Sequence, residues 1–167
     1  MSDDGTNVTL FMYKADTAQD LSAGTLYAAK WNQISGTGLG EAVLTWVDLG
    51  NASDADVEAA LNPDGDVTTN DGVTFSDIFN TEAPQADGSC ATAGFVAVNT
   101  AAGNECLQRT TNDLNGDATY DAKDDAIANR LESRRMAAYL GATTEFRKME
   151  GITFNARDNK LYLAMSQ

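Results

Sequence analysis

Six oxygen-bearing side chains fall at positions 1, 3, 5, 7, 9 and 12 of the twelve-residue stretch 113–124: Asp113, Asn115, Asp117, Thr119, Asp121 and Asp124. That is the ligand spacing of an EF-hand calcium loop, and it runs directly into a segment of helical character. Carboxylates crowded this closely repel one another, and a bound divalent cation removes the penalty. Two departures accompany the match. Ala118 stands where glycine usually makes the sharp turn, and the twelfth position is Asp rather than the longer Glu. A solvated acidic turn capping the helix is the alternative for the same residues. A bound ion would be structural here, because such a loop leaves no open position for a substrate.

Three further groups carry oxygen or charge in useful places. Residues 62–72 repeat the oxygen-rich texture through Asp64, Asp66, Thr68 and Asn70, but the twelfth position fits poorly. Asp3 and Asp4 stand just before a strand-like segment, as a solvated turn or as metal ligands at a sheet end. Lys148 precedes Glu150 by two residues on the way into another strand, which can place both at one end of a sheet. There the Glu would hold a metal ion and the Lys an anionic oxygen; a surface salt bridge has the same appearance.

The rest of the composition narrows the chemistry. The 167 residues contain no histidine, which excludes Ser–His–Asp and Cys–His catalysis and His-ligated zinc. Lys and Arg number 11 against 25 Asp and Glu, a net charge of −14. That surface repels nucleic acid and anionic membranes and suits hard cations. No apolar run approaches the roughly 20 residues of a membrane span, and the acidic start has no signal-peptide character. Cys90 and Cys106 are either free thiols or a bridge worth roughly 3 kcal/mol, and with this composition a bridge implies an oxidising compartment.

The elements that must position these groups read as mainly β. Residues 7–14, 24–31 and 41–49 have strand character with meander spacing. A short helix follows at Asp54–Leu61, capped by Asn51 or Ser53. Residues 62–121 carry one clear strand, at 95–98. A single helix is expected over 122–142, closed by Gly141. Residues 150–166 form a hairpin. The domain plan is strands over 1–49, an acidic insertion over 50–142 and a strand hairpin over 143–167.

Taken together, the segments MSDDGTNVTLFMYKAD, GTLYAAKWN and YLGATTEFRKMEGITFNARDNKLYLAMS resemble the PhoX-type secreted alkaline phosphatases. The resemblance covers both ends of the chain and little of 50–121. It implies about two blades of a six-bladed β-propeller, secreted or periplasmic, carrying a long insertion. It also implies hydrolysis of phosphate monoesters at a site of Ca2+ and Fe3+ ions. Asp3 or Asp4 would supply a metal ligand, Glu150 another, and Lys148 the phosphate-binding cation where the family has Arg. Lys keeps the charge but loses the bidentate fork. The family's iron-bound cysteine has no counterpart in Cys90 or Cys106, so the remainder of the propeller would complete the site. The alternatives are a non-catalytic calcium-binding propeller segment for adhesion, and a lactonase-like propeller hydrolase.

Overall fold

Alternation of apolar and polar side chains in the first fifty residues produces the longest strands of the molecule. The computed structural model describes residues 5–166, so Asp3 and Asp4 lie outside the described residues. Strands account for 43% of the chain and helices for 18%, giving a mainly β fold. β1 (Thr6–Val8), β2 (Phe11–Thr17), β3 (Asp20–Ser35) and β4 (Glu41–Ser53) come first. The expected strand at 7–14 is interrupted at Thr9 and Leu10, and its two pieces serve different sheets. β2, β3 and β4 form an antiparallel sheet in that order, whereas β1 pairs with β8 (Phe146–Arg147).

The segment expected to be an insertion begins with α1 (Asp54–Leu61). Ser53 and Asp56 close a reciprocal capping box at its N-terminus, which satisfies two of the helix's orphan donors. Residues 62–121 are more ordered than their composition suggests. α2 (Phe75–Ile78), β5 (Phe79–Glu82), β6 (Val96–Thr100) and β7 (Gly103–Arg109) build a second three-stranded sheet in the order β5-β7-β6. β5 and β7 lack the alternation that marks a strand in sequence. Burial of Ile78, Phe79 and Leu107 holds them instead, together with a disulfide between Cys90 and Cys106.

The expected single helix over 122–142 is two helices, α3 (Ala122–Leu131) and α4 (Ser133–Tyr139), separated at Glu132. Neither Pro nor Gly makes the break. Arg135 bonds Glu132 at 2.8 Å and Glu105 of β7 at 2.7 Å, which ties the joint to the neighbouring sheet. The change of direction lets adjacent residues serve different cores. Met136 packs with Ile78, Phe79 and Leu107, and Ala137 packs with Leu26, Ala28 and Leu49.

α3 lies against β4, and one glycine permits it. Gly50 has φ +82, and a Cβ there would meet the Ala126 Cβ at 2.8 Å. Asn129 then bonds the Leu49 carbonyl at 2.7 Å, and Arg130 bonds the Gly24 carbonyl at 2.6 Å. The chain returns to β3 through Thr143, which bonds Ala29 and Trp31. It ends in the hairpin β9 (Met149–Asn155) and β10 (Lys160–Met165), whose Leu161 and Leu163 cover a third core of Val8, Leu10, Phe146 and Met149. Among the described residues no sheet closes on itself or exceeds three strands, and no helix is long and apolar enough to cross a membrane.

Candidate functional site

Backbone pairing joins the two ends of the chain at one corner. β1 and β8 place Thr6 opposite Arg147, and the Lys148 N–H donates to the Gly5 carbonyl at 2.8 Å. Gly5 directly follows Asp4 in the sequence. The hairpin closes the same corner from the other side: the Ser166 N–H donates to the Lys148 carbonyl at 3.2 Å. The Ser166 hydroxyl donates to Glu150 Oε1 at 3.0 Å.

The backbone here is irregular in three places. In the β9–β10 ladder Ala164 faces Gly151 but Met165 faces Met149, so Glu150 is an extra, bulged residue. In the β1–β8 ladder Thr6 faces Arg147 and Val8 faces Phe146, so Asn7 is bulged in turn. Asn7 has φ +56 and Lys148 φ +43; Asn visits this left-handed conformation readily, whereas for Lys148 it costs roughly 1–2 kcal/mol. Bulges re-aim side chains and concentrate beside functional sites. Retained backbone strain points the same way.

Glu150 is exposed and Lys148 half-buried, and no ion pair joins them among the described residues. The corner therefore presents a carboxylate bonded to the Ser166 hydroxyl and an ammonium without an ion-pair partner among the described residues. One carboxylate does not hold a metal ion by itself, so further ligands are needed. Ser166 was not singled out from sequence. The hairpin register could have indicated it, because it pairs the residue after β10 with the start of β9.

The stretch 113–124 forms a tight loop anchored from within. Asp113 accepts N–H bonds from Asn115, Gly116 and Ala118 at 3.1, 2.7 and 2.6 Å. Asn115 accepts from Asp117 and Asp117 from Thr119, each at 2.9 Å. Ala118 takes φ +69, the conformation for which glycine is usual. Asp121 caps α3 by accepting from Lys123. Asp124 is fully buried. Its Oδ1 accepts from the N–H groups of Leu114 and Asn115, and its Oδ2 from that of Asp121.

Asp113, Asn115 and Asp117 thus hold the turns of the loop, while Asp124, at the twelfth position, is turned to the backbone as an anchor. Arg109 adds a second anchor that sequence gave no sign of. Its guanidinium reaches Ile78, Thr110 and Asp124 carbonyls and the Asp125 carboxylate.

Residues 62–72 are mostly exposed, with Asp64 and Asp66 capping their own turns. An open depression lined by Asp71, Asp77, Asn112 and Asp113 lies where the two loops meet. Among the described residues, one group of three Cys, Asp or Glu ligand atoms lies within 4.8 Å, and it is elsewhere: Glu82, Cys90 and Cys106. Comparison of the chain with protein-family models, curated proteins and solved structures finds no match.

Proposed function

We propose that this chain is part of a secreted phosphomonoesterase of the PhoX type, with Lys148 holding a phosphate oxygen and Glu150 ligating an active-site metal ion. The observation that carries the reading is the corner itself. Two bulges and two left-handed residues meet where Gly5, Lys148 and Glu150 come together, and these are the segments that resemble the family. In this reading Asp3 or Asp4 supplies a second carboxylate and the remainder of the six-bladed propeller supplies the rest. Bound Ca2+ and Fe3+ would neutralise phosphoryl oxygens and activate an oxygen nucleophile.

The chain's own residues have narrower roles. Lys148 offers a point charge to the ester's phosphate. Ser166 orients Glu150 through its hydroxyl bond. Both cysteines are bridged, so iron would be ligated by residues of the remaining propeller. The bridge itself suits an oxidising, extracellular compartment.

A calcium-binding, non-catalytic segment is a second reading. The concentration of Asp113, Asn115 and Asp117 in one short, internally hydrogen-bonded loop favours it. Titrating calcium in the intact protein, with and without a phosphate ester, separates the two. Hydrolysis that rises with metal supports the phosphatase; a raised melting temperature without turnover supports the binding module. In the intact protein Glu150→Gln is expected to lower metal-dependent hydrolysis by about 100-fold or more with little effect on folding. Wild-type turnover in that variant contradicts the reading.

A further inference from the structure

The insertion carries a second constellation, remote in sequence from the Lys148–Glu150 corner and unused by the proposed hydrolysis. Glu82 of β5 stands directly opposite Cys106 of β7 in the antiparallel register. Side chains of a directly opposed pair emerge on the same face of a sheet. Cys90 reaches the same place from the connection between β5 and β6, and a Glu82 carboxyl oxygen and the two sulfurs lie within 4.8 Å of one another. We propose that Glu82, Cys90 and Cys106 form a redox-gated metal site: shut while the disulfide stands, and open to a thiophilic divalent cation of the Zn2+ class once a dithiol has reduced it.

The floor of this site is rigid and one wall is movable. Cys106 is fully buried, in the central strand of a sheet paired on both sides. Its position therefore rests on β7 hydrogen bonds and on Leu107 packing as well as on the bridge. Cys90 is half-buried, in the middle of the connection 83–95, with exposed residues on both sides at 85–89 and 91–94. Two thiolates on one tetrahedral ion stand about 3.8 Å apart, inside the space the three ligand atoms already occupy.

Glu82 is also prepared for the role. The Thr92 N–H donates to its Oε1 at 2.9 Å. An oriented, ionised carboxylate is what a metal ligand requires.

Two sulfurs and one oxygen make a donor set that favours zinc-like ions over calcium. Three protein ligands leave a fourth position for water, the arrangement of an open rather than a closed zinc site. The chemistry balances. The dithiol gives two electrons and two protons to the bridge and is itself oxidised to a disulfide. The metal ion then displaces both thiol protons.

The test uses the whole chain and Co2+ as the probe. The protein is reduced with a dithiol under argon, freed of reductant and titrated, with circular dichroism recorded alongside. One equivalent of Co2+ is expected to bind with a near-ultraviolet thiolate-to-cobalt charge-transfer band, which the oxidised chain lacks. Glu82→Gln is expected to weaken binding about 10-fold or more, and Cys90→Ser to abolish the band while the sheet signal persists. A folded, reduced chain without the band overturns the proposal. So does undiminished binding in Glu82→Gln, or a reduced chain that loses its sheet signal and does not regain it with metal.

Discussion

Around the terminal strands the buried set is nearly all apolar: Val8, Leu10, Ala28, Leu49, Phe146 and Met149, with Thr9 the one polar member. The middle segment, residues 50–142, is built differently. Its core includes a fully buried Asp124 and a nearly buried Asn129, and the Arg109 side chain is only 8% exposed. Burying such groups is costly unless each finds partners; here they are loop N–H groups for Asp124, the Leu49 carbonyl of β4 for Asn129, and backbone carbonyls with the Asp125 carboxylate for Arg109. The strand framework is therefore held by apolar area, and residues 50–142 by their own apolar core around Ile78, Phe79, Leu107 and Ile127 together with a few specific polar bonds. Truncating a buried apolar side chain leaves a cavity, whereas removing a buried polar one strands the backbone groups it held. The proposed chemistry sits on the framework, at an exposed corner that contributes little to either core.

The sharpest way to break this contrast is Asp124→Ala. It strands the N–H groups of Leu114, Asn115 and Asp121, each worth about 1–3 kcal/mol when unsatisfied. A loss of about 3 kcal/mol or more is expected in denaturant unfolding. A change below about 1 kcal/mol would mean that the loop is not anchored through this residue.

Opening the Cys90–Cys106 bridge comes next, at about 2–4 kcal/mol. Hydrogen exchange should show faster opening of β5 and β7 while β3 and β4 stay protected. Equal acceleration in both sheets would erase the distinction between the regions.

Ala118→Gly should stabilise by about 1 kcal/mol, because it removes the Cβ from a left-handed position. A drop in melting temperature would contradict the loop conformation.

The smallest effect is expected at the Asp56–Lys123 pair, which joins α1 to α3 at 2.8 Å. Exposed pairs contribute below about 1 kcal/mol. Lys123 and Ser53 lower the Asp56 carboxyl from 3.8 to about 2. Its folded-state value lies below its unfolded one, so its contribution is complete above pH 3.8 and fades as the pH falls towards 2. Thermal unfolding of Asp56→Asn should differ from wild type near neutral pH and converge with it at about pH 2.

Legibility in the sequence follows the same division. Strands at 24–31, 41–49 and 150–166 could be read because alternation records which side chains face an apolar core. The Asp54–Leu61 helix could be read because its cap lies beside it. β5 and β7 could not, since their sequences FNTE and GNECLQR carry no period and their burial comes from distant partners. The break at Glu132 was hidden for a similar reason: Glu105, which takes part in it, lies far away in sequence. At the candidate site, Lys148 and Glu150 were visible as residue types. The bulges at Asn7 and Glu150 were not, because a bulge exists only in the register between two strands. Asp124 was visible as a carboxylate, but its turn towards the backbone depends on where Leu114 and Asn115 present their N–H groups.

The central claim is that the corner of Lys148 and Glu150 works in a metal-dependent phosphomonoesterase without carrying the fold. The most direct measurement is calcium-dependent hydrolysis of a phosphate monoester by the intact protein, wild type against Glu150→Gln, with melting temperatures recorded on the same samples. A loss of about 100-fold or more in kcat/KM, with the melting temperature unchanged, is the predicted result. Undiminished turnover, or a loss fully accounted for by unfolding, would contradict it.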